Sequence, residues 1–197
     1  MVVKTLKTLV PMLLLWLAVA APVRAYDDEV QAKTVSVMLK GLTLKLPTTW
    51  ASSDTVSSMR LATYEIPASK GDKDKGELSV FSFPGGGGGV AANLERWVGQ
   101  FSTKGRTMKV TQGTTDGKAT YYLADIAGTF NKPVGPPVLR QTEAAEGYRM
   151  LAAIIVLENE DVYYLKLTGQ DATIKAQTDA FRASFGGDAK QEKPYEL

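Results

Sequence analysis

The sequence predicts an α+β fold in which an antiparallel sheet of about six to eight strands has helices packed on both faces, an α/β/α arrangement. Alternating apolar runs follow one another along the chain and are joined by short turns, which is typical of antiparallel hairpins. Two other segments show the apolar period of helices. Within the predicted strand 148–157, residues 150–157 are apolar at both alternating sets of positions, and such a strand needs cover on both faces.

The strands are predicted from alternating runs of β-forming residues. They lie at residues 35–39, 42–46, 59–66, 77–83, 109–115, 119–130, 148–157 and 162–168. The first two are joined by Lys40 and Gly41, a turn typical of two-residue hairpins. Pro47 ends the second strand because proline donates no ladder hydrogen bond. The proline-rich segment 131–137 is predicted as a loop that does not join the sheet.

Two helices are predicted, at residues 90–101 and 171–185. The apolar stripe of the first consists of Leu94, Trp97, Val98 and Phe101. We interpret its tryptophan as a core anchor, because these positions share one helix face. Asp171 is the expected N-cap of the second helix, and the glycines at 186–187 are its expected stop. The charged tail at residues 188–197 is expected to fray.

The first 25 residues have the composition of a secretory signal peptide. Two lysines precede an apolar run at residues 9–21, and Val23 and Ala25 are small residues placed for a cut after Ala25. The run is shorter than the roughly 20 residues of a membrane-spanning helix. A cut after Ala20 or Ala21 and an uncleaved anchor are the alternatives. The protein is therefore expected in the bacterial periplasm or the surrounding medium.

A flexible polar lead-in is expected at residues 26–33, followed by one globular domain at residues 34–187. The leader carries three basic residues, so the rest of the chain has 20 basic and 21 acidic residues. This balance gives no support for nucleic-acid binding. The 172 residues after the cut include no cysteine. A domain of this size needs no disulfide, and a cysteine-free exported domain is typical of bacteria.

Several chemistries are excluded by residue types that the chain lacks. It contains no cysteine and no histidine, so catalytic triads and zinc sites that need those residues are impossible. The acid-rich segments 27–29 and 158–161 lack the ligand spacing of an EF-hand, and no metal or cofactor is predicted. A catalytic pair of carboxylates stays formally open. No catalytic residue is assigned.

A run of glycines joins the fourth predicted strand to the first helix. It consists of Gly85, Gly86, Gly87, Gly88 and Gly89, named here the pentaglycine. Backbone N–H groups at the start of a helix are typical of an anion site. The run also fits a relaxed dinucleotide pattern, but no parallel strand–helix–strand unit accompanies it. A flexible structural loop is the main interpretation, and an anion-binding loop is the alternative.

Two tyrosine pairs, at residues 121–122 and 163–164, are expected to place one ring on each face of a strand. One ring of each pair belongs to the core. The other either packs under a covering helix, which we favour, or lines a groove.

Three segments carry a resemblance to the Mog/PsbP-like fold. They are GLTLKLPTTW at 41–50, VYYLKLTG at 162–169 and ASF at 183–185. Residues 85–101 and 147–151 also resemble an exported family of planctomycete-type bacteria that has no assigned function. The fold resemblance implies an accessory or binding role and no enzymatic activity.

The functional hypothesis is an exported, non-catalytic accessory or protein-binding domain, whose partner is another envelope or secreted protein. The first alternative is a small-ligand or anion binder that uses the pentaglycine. The second is a carboxylate-dependent hydrolase. The sequence leaves the ligand and the oligomeric state open.

Overall fold

The computed structural model describes Met1 and residues 33–54 and 59–197. The predicted leader, its cut after Ala25 and the lead-in up to residue 32 lie outside the described residues. Those from Lys33 onward belong to one compact unit.

The described residues form ten strands and three helices. The strands are β1 (Thr34–Leu39), β2 (Leu42–Pro47), β3 (Ala51–Ser52), β4 (Arg60–Ile66), β5 (Gly76–Ser82), β6 (Thr107–Thr114), β7 (Thr120–Pro133), β8 (Thr142–Val156), β9 (Val162–Gln170) and β10 (Lys193–Pro194). The helices are α1 (Val90–Val98), α2 (Asp171–Lys175) and α3 (Thr178–Ser184). The α+β class is therefore confirmed.

Eight of the strands form one antiparallel sheet, in the order β10-β6-β7-β8-β9-β5-β4-β3. The predicted hairpin of β1 and β2 is confirmed, but it forms a separate two-stranded sheet. The antiparallel prediction is correct because each long strand of the large sheet pairs antiparallel with its neighbours. β8, the strand that is apolar on both faces, lies inside the sheet between β7 and β9.

Two hydrophobic clusters meet at β8. The first core contains Leu151, Ala153 and Ile155 of β8 together with Ile174 of α2 and Phe181 of α3. The second core contains Met150, Ala152 and Ile154 of β8 together with Leu94 and Trp97 of α1. Because side chains alternate along a strand, one sequence run supplies both cores. All six of these β8 residues are at most 1% exposed.

The expected loop at residues 131–137 was wrong in its first half. β7 continues to Pro133, and Asn131 pairs with Ala144 while Pro133 pairs with Thr142. Pro133 is the last residue of its strand, a position where a missing N–H is tolerated. β7 and β8 therefore extend beyond the pairing of β9 with β8, which begins at Tyr148.

The second predicted helix is divided into α2 and α3. The break follows Ala176, and Gln177 has φ −98° and ψ 3°, outside the helical region. The Gln177 side chain accepts a 3.1 Å hydrogen bond from the indole N–H of Trp50, which is buried. Gln170, not Asp171, is the N-cap of α2. Asp171 is instead the first helical residue, and its carboxylate contacts Arg149 at 2.9 Å.

Of the two predicted helix ends, the one at Gly186 and Gly187 agrees with the structure and the one at Phe101 does not. α1 ends at Val98, three residues before the predicted end. α3 is followed by Gly186 at φ +77°, with hydrogen bonds from Gly186 N–H to Ala183 O and from Gly187 N–H to Arg182 O. This is the Schellman arrangement, so the glycine stop is confirmed.

The C-terminal tail is docked on the domain, contrary to the expectation that it frays. β10 pairs with the edge strand β6, and Tyr195 N–H donates to Val110 O at 3.0 Å. Glu192 is only 6% exposed and forms a 2.6 Å ion pair with Arg182. The charged segment is held on the domain because it pairs with the partly buried Arg182 and with the edge of β6.

Candidate functional site

The pentaglycine forms a turn whose carbonyl groups contact side chains of the second core. Residues Pro84–Gly87 are a 3-10 turn. The Tyr164 hydroxyl donates to the Gly86 carbonyl. The Asn93 amide donates to the carbonyls of Gly87 and Gly89, at 3.3 and 2.9 Å. The Tyr164 hydroxyl also lies 3.5 Å from the Gly88 carbonyl, so four carbonyls of the run have side-chain donors.

An open recess of about 820 Å³ lies beside the pentaglycine. Gly86, Gly88 and Gly89 contribute backbone to its lining. The same lining contains Lys40 but also the carboxylates of Glu160 and Asp161. The surroundings of the glycines are thus of mixed charge.

A second candidate site is centred on Lys166. It lies in β9, where it pairs with Ser79 of β5 and Ala152 of β8. Alternation along the strand places it on the side of Tyr164, in the direction of the second core. A lysine at such a position buries part of its stem and holds its ammonium beside apolar side chains.

The Lys166 ammonium has few partners. It donates to Gln100 Oε1 at 2.6 Å and lies 5.4 Å from the centre of the Phe130 ring. Across residues 33–54 and 59–197, no ion pair joins Lys166 to a carboxylate. Burial lowers the pKa of Lys166 to about 8; Glu77 acts to raise it, and Arg60 and Arg96 act to lower it further.

Lys166 borders two recesses. The first, named here the Lys166 cleft, has a volume of about 430 Å³. Its lining includes Arg60, Glu77, Ser79, Phe130, Tyr148 and Thr168. Arg60 and Glu77 form a 2.9 Å ion pair. The Thr168 hydroxyl oxygen is buried and has no hydrogen-bond partner in the described part of the chain.

The second, named here the aromatic recess, has a volume of about 170 Å³. It is lined by Phe81, Phe83, Arg96, Trp97, Tyr164 and Lys166. The rings form a continuous series: Phe81 to Phe83 at 6.1 Å, Phe83 to Tyr164 at 5.8 Å, and Tyr164 to Trp97 at 6.2 Å between centres. Trp97 and Tyr164 are buried, whereas Phe81 and Phe83 are only partly covered.

The predicted aromatic residues lie where the sequence placed them. Tyr121 and Tyr163 belong to the first core, and Tyr122 and Tyr164 face the second. Trp97 is a core residue, 6% exposed. It also lines the aromatic recess.

The sequence itself contains a signal for Lys166. In VYYLKLTGQ the residues 164, 166 and 168 share one face of the strand, and only the first is aromatic. A lysine and a threonine that interrupt a buried face mark a place where cover is incomplete. Periodicity alone does not reveal whether a ring or a carboxylate lies opposite, so the site itself required the tertiary structure.

No three acidic side chains of the described ranges are grouped so that they would hold a metal ion. The described helices are all too short or too polar to cross a membrane.

No protein-family model matches this chain, and no curated protein sequence matches it. The solved structures that are similar in shape include the following two. A protein of unknown function from Pseudomonas aeruginosa is 12% identical with a TM-score of 0.44, covering 83% of this chain and 99% of its own. Cyanobacterial PsbP (CyanoP) from Synechocystis is 10% identical with a TM-score of 0.46, covering 89% and 100%.

The PsbP structure belongs to the fold group that the sequence resembles. The resemblance to an exported planctomycete-type family has no counterpart among these matches. At TM-scores below 0.5 neither structure bears on the candidate site.

Proposed function

We propose that this chain is a non-catalytic accessory domain that works by binding, and that its ligand presents an anionic group to Lys166. The observation that supports this is the Lys166 ammonium, which lies at the junction of two recesses with an amide and a ring as its contacts. An ammonium carries three donors, and the amide uses one of them. An anion at this position would supply the missing acceptor.

The charges around the Lys166 cleft favour the same kind of ligand. Four cationic side chains line it, from Arg60, Lys75, Lys132 and Lys166, against two acidic ones, from Asp74 and Glu77. Arg60 is paired with Glu77 and Lys75 with Glu65, which leaves the other two lysines without a carboxylate in the described residues. The unpaired Thr168 hydroxyl adds a buried donor that a ligand would satisfy.

The layering of the domain explains why this position would be open. We take α1 to cover one face of the sheet, and α2 and α3 to cover the other face. α1 ends at Val98, and Arg96, Gln100 and Lys166 lie around that end. α1 is only 9 residues long. On the proposed layering, the part of the sheet near β5 and β9 that α1 does not reach is left to polar side chains and to the partly covered ring of Phe81.

Binding of a small anion tests this function. We expect acetate, added to the purified protein, to shift the NMR signals of the Lys166 side chain and of Gln100. Lys166→Met should abolish these shifts. Lys45→Met is the matched control, because Lys45 is exposed on the separate β1–β2 sheet. Unchanged Lys166 signals at saturating acetate, phosphate and sulfate would refute the proposed site.

Export is part of the same proposal. We expect the protein recovered from its host to begin at Tyr26, and its partner to be another envelope or secreted protein. Mass spectrometry of the N-terminal peptide checks the first point. A protein that retains Met1 and fractionates with the cytosol would contradict it.

The pentaglycine is a second candidate for an anion site. The observation in its favour is the backbone of Gly88 and Gly89 in the lining of the 820 Å³ recess beside Lys40. Gly89 has φ −67°, and a Cβ there would meet nothing within 4 Å. Gly89→Pro should therefore keep the fold while removing one N–H. Loss of phosphate binding in this variant, with Lys166 signals unaffected by phosphate, would favour this site over the Lys166 cleft.

A further inference from the structure

The aromatic recess has the volume of a single ring. Its 170 Å³ is close to the roughly 150 Å³ of an engineered apolar cavity that binds benzene. A fused double ring or a long alkyl chain would extend far into solvent. The recess is open to solvent, and the space that it encloses fits one ring.

The lining of the recess favours an aromatic ring over an aliphatic one. Phe83 and Tyr164 are tilted by 51°, and Trp97 meets Tyr164 edge to face at 85°. Rings in such arrangements present both faces and edges to a further ring, and aromatic contacts stabilise binding beyond the burial of apolar area. Phe83 is only partly covered, so its ring offers contact surface to a ligand.

Two cations border this recess, and neither has a carboxylate partner among the described residues. Lys166 donates to Gln100, and Arg96 donates to the Asn93 side chain. Both lie in the lining of the recess. Arginine binds planar carboxylates well because its donors match both oxygens.

We infer that the aromatic recess binds a single aromatic ring that carries a carboxylate, with the ring against Phe83, Trp97 and Tyr164 and the carboxylate at Lys166 and Arg96. This inference rests on the proposed function and names the class of ligand. The ring and carboxylate belong either to a free aromatic acid or to the C-terminal aromatic residue of a protein partner. Both sources present the same chemistry to the site.

Calorimetric titration of the purified full chain with four probes tests the inference. We expect phenylacetate to bind at least about tenfold more tightly than acetate, which lacks the ring, because one buried ring contributes more than about 1.4 kcal/mol. Benzyl alcohol, which lacks the charge, should bind at least about tenfold more weakly than phenylacetate. Tighter binding of N-acetylphenylalanine than of phenylacetate would assign the source to a protein C-terminus, and the reverse order to a free acid.

Two variants locate the binding. Lys166→Met and Phe83→Leu should each weaken phenylacetate at least about tenfold, whereas Lys45→Met should not change it. Far-UV circular dichroism and the melting temperature establish that each variant is folded. For a variant that does not fold, chemical-shift changes at the Phe83 and Trp97 rings of the unmodified protein give the location instead.

The possible failures are distinguishable. Equal affinities for phenylacetate and acetate, both lost in Lys166→Met, would overturn the ring inference and leave the anion site standing. Phenylacetate binding that survives Lys166→Met would overturn the inference, because the carboxylate would lie elsewhere. Failure of every anion to perturb Lys166 would overturn both the inference and the proposed function.

Discussion

Ile174 packs directly on the backbone of Gly169 and leaves little room for a side chain there. A Cβ built on Gly169 would lie 3.1 Å from Ile174 Cδ1 and 3.0 Å from the Cα of Gly76. Gly76 lies beside Gly169 on the neighbouring strand β5, next to the paired residues Glu77 and Thr168. Ile174 is fully buried in the first core. These two strand glycines therefore let α2 approach the sheet closely.

Gly169→Ala should destabilise the domain by about 1–3 kcal/mol, because overpacking against backbone is not relieved by a side-chain rotation. Urea unfolding followed by tryptophan fluorescence measures the change. Gly89→Ala is the control, since a Cβ at Gly89 meets nothing within 4 Å. We expect that substitution to be neutral or to stabilise slightly. Equal unfolding midpoints for the two variants would show that α2 is free to move away from β9.

Removal of the Glu192 carboxylate should destabilise the domain by about 2–4 kcal/mol, since it leaves the partly buried Arg182 with only the fully exposed Asp179 as an ionic partner among the described residues. Arg182 is 14% exposed, and Glu192 also accepts hydrogen bonds from Thr111 and Tyr121. The measurement is the difference in unfolding free energy between Glu192→Ala and the exposed control Glu196→Ala. A tail that contributes nothing would give identical values for both variants.

The domain should become more stable as the pH rises from about 8 to about 10. Burial holds the pKa of Lys166 at about 8 in the folded chain, against 10.5 for a free lysine. Between these values the unfolded chain binds more protons than the folded one, so the free energy of unfolding rises with pH. Above about pH 10 the trend should reverse, because burial and then Glu192 raise the pKa of Tyr121 to about 12.

Lys166→Met isolates this effect. It removes the buried ammonium while keeping a side chain of similar length, so the rise between pH 8 and 10 should disappear. Urea titrations at several pH values compare it with Lys45→Met, whose pH profile should match that of the unmodified protein. The charged groups that act on Lys166 are Glu77, Arg60 and Arg96. A rise that persists in Lys166→Met would assign the effect to another residue.

Arg149 should be more sensitive to substitution than its partial exposure suggests. Its guanidinium contacts both oxygens of Asp125 at 2.7 Å and Asp171 at 2.9 Å. Burial acts to lower the pKa of Arg149, but hydrogen bonds to Asp125 and Asp171 outweigh it and raise the pKa. The arginine thus joins β7 and β8 to the first residue of α2.

Arg149→Lys should lower the free energy of unfolding by about 1–2 kcal/mol, since lysine does not reproduce the bidentate contact. Arg149→Ala should lower it by about 3 kcal/mol, since it leaves two carboxylates unpaired. Chemical denaturation measures both. Arg140→Lys, in the exposed turn before β8, is the matched control. If Arg149→Lys behaves like Arg140→Lys, charge alone accounts for the contribution of Arg149.

The part of the fold that could be predicted is the part that local patterns encode. Alternation placed β1, β2, β4, β5 and β9 to within two residues, and the both-faces apolar run identified β8 as an interior strand. A 3.6-residue stripe identified the buried side of α1. These patterns predict well because the side of a strand or helix that is apolar depends only on its own residues.

The sequence did not reveal the candidate site. The partners of Lys166 are Gln100, 66 residues away in the chain, and the Phe130 ring on β7. The docked tail likewise depends on Arg182 and on the free edge of β6. Composition and spacing identify a lysine in a buried strand, but they do not specify which groups the strand order brings to it.

By itself the sequence determined which chemistries are closed to this protein, since a chain without histidine or cysteine has no imidazole or thiol in any fold. It also determined the antiparallel class, because alternation and short turns are local properties. Only the tertiary structure decided which cation has no carboxylate partner among the described residues, why residues 188–197 pair with the sheet, and where α2 ends and α3 begins. Those outcomes depend on which distant side chains meet, and burial and pairing between distant residues are set by packing of the whole domain.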